Sequence, residues 1–111
     1  MTAAIVKLQP NQDVTEALEA AIAEAGMTRA RIVAAVGSLV EGVLHRGDRI
    51  EVVDGPAIEV AALVGDIRVG GGGRLYGYLC RQDTEVVAGE LVRGRNAVGV
   101  TFELLLAECP A

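Results

Sequence analysis

Apolar and polar positions alternate with a period of two along most of this chain, and a helical period occurs once. Two alternating runs, Arg74-Leu75-Tyr76-Gly77-Tyr78-Leu79-Cys80 and Val86-Val87-Ala88-Gly89-Glu90-Leu91, flank the polar stretch from Arg81 to Glu85. That pattern predicts a β-hairpin. Period two places Tyr76, Tyr78 and Cys80 on one face of the first strand, and Ala88 and Glu90 on one face of the second. Both tyrosines of the protein fall there, so pairing would bring two phenols and a carboxylate together.

Elsewhere, Ala3 to Leu8 reads as a short strand closed by Gln9-Pro10-Asn11. Asp13, with Glu16 three residues on, opens a capped helix. Val14, Ala17, Leu18, Ala21, Ile22 and Ala25 form its buried stripe, Glu16, Glu19 and Glu24 lie off the stripe, and Gly26 ends it. Ile32 to Val36 is a continuous apolar run, interrupted at Gly37-Ser38 and resumed from Leu39 to Leu44, which predicts one bent strand or two in succession. His45-Arg46-Gly47-Asp48 reads as a turn, Arg49 to Val53 alternates, and Asp54-Gly55-Pro56 is a second turn. Ala57 to Ile67 is apolar on both faces. A strand there needs cover twice, from the core and from a helix, a second sheet or another subunit. Gly70 to Gly73 is the next connection. The last strand, Val98 to Ala107, is expected to bury Val98, Val100, Phe102, Leu104 and Leu106. The elements predict one domain over residues 1–111, mostly strand with one main helix.

Composition narrows the function classes. Hydrophobic residues make up 51% of the chain, which excludes a disordered segment, and aromatic residues only 3%, so the core must be built from Val, Leu, Ile and Ala. The apolar runs stop short of a membrane-spanning helix, and the N-terminus lacks a signal-peptide pattern. A cytoplasmic protein is expected, with Cys80 and Cys109 as reduced thiols. The net charge of −5 opposes contact with a duplex phosphate backbone. Nine of the ten basic residues are arginine, and Arg46, Arg49, Arg74, Arg81, Arg93 and Arg95 fall at or near predicted turns. Of these, Arg46, Arg49, Arg93 and Arg95 form a candidate basic rim, suited to a carboxylate or phosphate.

Glu59, amid Ile58-Glu59-Val60-Ala61-Ala62-Leu63, must find a partner, stay protonated or face solvent, because an unpaired buried carboxylate costs several kcal/mol. With Tyr76, Tyr78, Glu90 and Arg74 it completes the set of candidate pocket residues. His45 is the sole histidine, far in sequence from both cysteines, so no zinc set is legible. Val36-Gly37-Ser38-Leu39-Val40 is not a nucleophile elbow, and Gly70-Gly71-Gly72-Gly73-Arg74 lacks the Lys-Ser/Thr of a phosphate loop. No catalytic residue, metal ligand or cofactor is therefore assigned.

From Ala30 to Glu108 the order of elements resembles the plant and prokaryote conserved (PPC) domain, in particular its stand-alone bacterial members. The resemblance rests on Ile58-Glu59-Val60-Ala61-Ala62-Leu63-Val64-Gly65, on Val36-Gly37-Ser38-Leu39 before it, and on Phe102-Glu103-Leu104 in the closing strand. It implies an α+β domain with a mostly antiparallel sheet, as a sandwich or half-barrel, and one main helix, assembled as a homotrimer and associated with transcription. The loop arginines are expected to meet a regulatory protein or a small anion. Direct DNA binding is implied by the family's usage and opposed by the charge. Many prokaryotic relatives carry His-x-His on one strand and Gly-Gly-His on the next, a set suited to zinc. Here those positions look like Tyr76-Gly77-Tyr78 and Ala88-Gly89-Glu90; an ungapped comparison places Arg74 and Tyr76 there instead, and neither reading supplies a ligand set. The family's fold also resembles a zinc-dependent decarboxylase, so the alternatives are a small-anion-binding protein or a relict lyase-like enzyme with a Tyr/Tyr/Glu pocket. The missing histidines weigh against the enzyme.

Overall fold

A computed structural model of the protein describes residues 2–82 and 84–110. Helix α1 (Val14–Glu24) begins where the sequence places its cap. Asp13 is extended, and its Oδ2 accepts the Glu16 N–H at 3.0 Å, satisfying one of the amides that a helix start leaves unpaired. The chain leaves the helix at Ala25, and Gly26 takes the left-handed conformation at φ +79°. Val14, Leu18 and Ile22 are fully buried along one stripe. Burying each of the two larger side chains contributes about 1.5–3 kcal/mol, which holds so short a helix to the sheet.

The remainder is strand: β1 (Ala3–Leu8), β2 (Arg29–Leu39), β3 (Gly42–Arg46), β4 (Arg49–Val53), β5 (Ile58–Arg68), β6 (Leu75–Cys80), β7 (Val86–Leu91) and β8 (Val98–Glu108). Among the described residues these eight form one sheet in the order β1-β8-β2-β5-β6-β7-β3-β4, every neighbouring pair antiparallel. This is the α+β architecture expected, with a single sheet. Every strand and the helix contribute to one core, with Phe102, Leu39, Ile58, Ile67 and Leu79 at its centre and α1 packed on the inner side against β5 and β1. The Cα envelope is only 19 Å in its shortest dimension. That is room for one sheet and one covering layer, and it leaves the outer side of the sheet bare.

The outer side is nevertheless apolar. Ile5, Val36, Val64, Tyr76, Tyr78, Val100 and Leu105 all lie exposed, Ile5 at 85% and Val100 at 75%. In β5, Ile58, Val60, Leu63 and Ile67 point into the core while Glu59, Ala61 and Val64 face outward. The two dry faces expected of this strand are thus one packed face and one open one.

Three features differ from the sequence reading. β2 runs through Gly37-Ser38, and the chain breaks at Val40-Glu41 instead. Gly37 stays in the strand because it lies opposite Phe102, whose ring occupies the space a side chain would need; a Cβ there would sit 2.6 Å from the ring. Val100 is exposed because the β2–β8 pairing shifts register between Gly37 and Leu39, which breaks the alternation that predicted it inside. His45 belongs to β3, and only Gly47 and Asp48 make the turn, Gly47 at φ +66°. Asp83, in the predicted β6–β7 turn, lies outside the described residues.

Candidate functional site

The hairpin forms as expected, and its register brings the predicted residues together on the outer face. Tyr76 stands directly opposite Glu90, and Tyr78 opposite Ala88. On the other side of β7, β3 places His45 directly opposite the same Glu90. Gly89 permits that approach, since a Cβ on it would meet the His45 carbonyl oxygen at 2.7 Å and the Arg46 Cγ at 3.0 Å. Arg74 closes the group, with Nε 4.0 Å from Glu90 Oε2. A hydrogen bond with Tyr76, reinforced by the Glu90 charge, raises the Arg74 pKa above its ordinary value. His45, Glu90, Tyr76 and Arg74 therefore form a mixed donor and acceptor row across three adjacent strands. Sequence reasoning missed His45 because the β3–β7 contact joins segments distant in the chain.

Glu59 does not join that row. It lies opposite Cys80 on one side and Ser38 on the other, and it lines a cavity of about 320 Å³ with Ser38, Val100, Thr101 and Glu103. In the isolated chain it faces solvent, one of the three outcomes open to it. Thr101 Oγ1 is buried without a hydrogen-bond partner, and the Ser38 hydroxyl accepts the Val100 N–H at 3.3 Å.

The arginines expected to form one basic rim are divided. Arg46 binds Glu51 at 2.8 Å, and that hydrogen bond outweighs the opposing effect of burial and, with lesser help from the charges of Arg46, Arg49 and Arg81, lowers the Glu51 pKa. Arg93 is held by α1, forked onto Glu19 at 2.7 and 3.1 Å and 3.3 Å from Glu16. Arg95 lines a separate cavity with Asn11, Asp13, Glu16 and Glu41.

A basic group that the sequence reading did not single out lies at the far end of β2 and β5. Arg29 Nε and Arg68 Nε donate to the same oxygen of Asp66, at 2.8 and 3.2 Å, and the Arg74 N–H donates to its other oxygen at 3.4 Å. Burial pushes the Asp66 carboxyl up, and the two guanidinium groups and the amide outweigh it, so its pKa is lowered. Arg31 is the residue directly opposite Asp66 in the register. The signal for this cluster was the Arg-x-Arg of Arg29 and Arg31 facing the Asp-x-Arg of Asp66 and Arg68. It becomes visible only once the two strands are paired.

The zinc chemistry of the resemblance does not fit these side chains. Among the described residues no group of three or more His, Cys, Asp or Glu is placed to hold a metal ion. Beside Glu90, one imidazole and a phenol replace the three nitrogens such a site would use. What the row offers is hydrogen bonding and charge to a polar molecule lying on the sheet.

One antiparallel sheet with a helix on its inner side and a polar row on an apolar outer face defines a small α+β domain. The chain belongs to the family of the Plants and Prokaryotes Conserved (PCC) domain, abbreviated PPC above, whose pattern matches residues 1–110. Its fold is similar to that of a hypothetical protein from Salmonella enterica, with 24% identity and a TM-score of 0.87 over 99% of this chain and 79% of that one. It is similar to a protein from Bacteroides thetaiotaomicron, described provisionally as DNA-binding, with 18% identity and a TM-score of 0.80 over 98% of this chain and 79% of that one. It is also similar to a metal-containing protein from Archaeoglobus fulgidus, with 18% identity and a TM-score of 0.77 over 97% of this chain and 79% of that one. No curated protein matches it. Among the described residues no helix is long and apolar enough to cross a membrane.

Proposed function

We propose that this chain is a self-associating binding module, a homotrimer whose subunits meet through the outer face of the sheet. The observation that carries the reading is the bare apolar surface of Ile5, Val36, Val64, Tyr78 and Leu105, all on strands whose other side is core. Leaving so continuous an apolar face in water is costly, and burying it between copies removes that cost. By family membership, and by the DNA-binding description of the Bacteroides relative, the module belongs with transcription-associated proteins. The net charge of −5 per chain favours contact with a regulatory protein over direct contact with a duplex. Light scattering on the purified protein tests the assembly: a particle of three times 11.5 kDa is expected at micromolar concentration, and a monomer there overturns the reading.

The row of His45, Glu90, Tyr76 and Arg74 favours a second role for the same surface, the binding of a small polar anion. Arg74 would carry the charge, while Tyr76 and His45 would orient the ligand. Calorimetric titration with inorganic phosphate and with acetate tests it, and Arg74→Ala is expected to abolish any heat seen with the wild-type protein.

A further inference from the structure

The outer face is charged unevenly. At the Arg29 and Arg68 end of β2 and β5 the only carboxylate engaged is Asp66, already shared by two guanidinium groups, while Arg31 beside it makes no hydrogen bond or ion pair among the described residues. At the opposite end lie Glu59 and Glu103, exposed carboxylates with no ion pair among the described residues, lining the cavity of about 320 Å³ with the hydroxyls of Ser38 and Thr101. Apolar side chains, Val33, Val36 and Val64 among them, separate the two ends.

The cavity is rich in acceptors and holds no cation of its own chain. Two carboxylates offer paired oxygens, the Ser38 oxygen accepts one amide, and Thr101 Oγ1 is buried with its hydrogen-bonding capacity unused. A guanidinium group, which carries five N–H donors in a planar fork and accepts nothing, complements such a set. Arg31 is an outer-face arginine free to supply one. It cannot reach the cavity within its own chain, because the seven steps along β2 from Arg31 to Ser38 span about 23 Å at roughly 3.3 Å per residue.

From these placements we infer that Arg31 of one copy enters the Glu59/Glu103 cavity of the next. This inference rests on the trimer reading and specifies its contact. Around a threefold axis each interface joins two different patches, so one copy's arginine end meets its neighbour's glutamate end at every contact and the ring closes with no charged end left over. The apolar strip between the ends supplies affinity, and the Arg31 contact fixes register and direction. It also accounts for two carboxylates on a face that self-association would take out of water, where they need partners.

Charge reversal and its repair test the inference, with assembly read by light scattering across a dilution series and folding by circular dichroism. Arg31→Glu is expected to raise the dissociation constant at least tenfold while the subunit stays folded. The chain carrying Arg31→Glu, Glu59→Arg and Glu103→Arg together is expected to reassemble, because the swapped charges again meet their opposites. Arg31→Gln and the Glu59→Gln/Glu103→Gln pair give the same direction with smaller loss, and they serve where a reversal prevents folding. A wild-type monomer overturns the trimer reading itself. A wild-type trimer that Arg31→Glu leaves equally tight, or a folded charge-swapped chain that does not reassemble, overturns the Arg31 contact and leaves the trimer standing.

Discussion

The side chain of Asn96 hydrogen-bonds both backbone groups of Val43. Its Oδ1 accepts the Val43 N–H and its Nδ2 donates to the Val43 carbonyl, each at 2.9 Å, in a site where Asn96 is 1% exposed. Nδ2 also donates to the Val92 carbonyl at 3.1 Å, and the Asn96 backbone N–H donates to Asp13 Oδ1 at 2.9 Å. One residue thus joins β3, the end of β7 and the cap of α1. Asn96→Ala leaves the Val43 amide without its partner while the Val43 carbonyl keeps the Val92 N–H at 3.0 Å, and is expected to destabilise the fold by about 1–3 kcal/mol in urea unfolding. A loss below half a kcal/mol would mean the strand finds other partners.

Gly37 faces the Phe102 ring across β2 and β8, with no room for a methyl group. Gly37→Ala is expected to cost about 1–3 kcal/mol through overpacking. Adding Phe102→Leu should recover part of that cost, since the smaller side chain vacates the contested space. If the double variant is less stable than the sum of the two single losses, crowding is not the cause.

Asp66 gives stability a pH dependence of known sign. Its folded pKa lies below the ordinary 3.8, so its contribution is fully present above that value and is lost as pH falls through the lowered folded pKa. Unfolding measured from pH 6 down to pH 2 should show the wild-type protein ahead of Asp66→Asn at neutral pH and the gap narrowing below 3.8. A gap independent of pH would show that the Arg29 and Arg68 contacts are not ionic.

The correspondence of Tyr76, Tyr78 and Glu90 with the relatives' histidines, implied by the resemblance, can be tested on this hairpin. Tyr76 and Glu90 are direct partners, with Tyr78 one pair along. The combined substitutions Tyr76→His, Tyr78→His and Glu90→His are expected to confer stoichiometric zinc binding, with none expected in the wild-type protein, as measured by metal analysis after dialysis. Zinc in the wild-type protein, or none in the folded triple variant, would contradict the proposed correspondence with the relatives' histidines.

A duplex titration at two salt concentrations separates the transcription roles. No binding is expected even at low salt, because Arg29, Arg68 and Arg93 are already engaged by carboxylates and the chain is acidic as a whole. Tight, salt-sensitive binding would restore direct DNA contact as the function.

Local pattern alone determined which segments are strand and which is helix. It placed Asp13 at the cap and Leu18 and Ile22 on the buried stripe, and it put Tyr76, Tyr78 and Glu90 on one side of a hairpin, because periodicity and capping are properties of neighbouring residues. The stretch from Ile58 to Gly65 around Glu59 also carried the family resemblance. Tertiary structure decided what depends on which strands become neighbours. Pairing of β3 with β7 brought His45 to Glu90, pairing of β2 with β5 gathered arginines around Asp66, and the Gly37–Phe102 contact kept β2 whole. Asn96, between β7 and β8, acquires its buried hydrogen bonds only when the fold encloses it. Hydrogen bonds between strands follow backbone approach, and that approach is set by packing across the whole sheet, a cooperative outcome that no window of sequence contains.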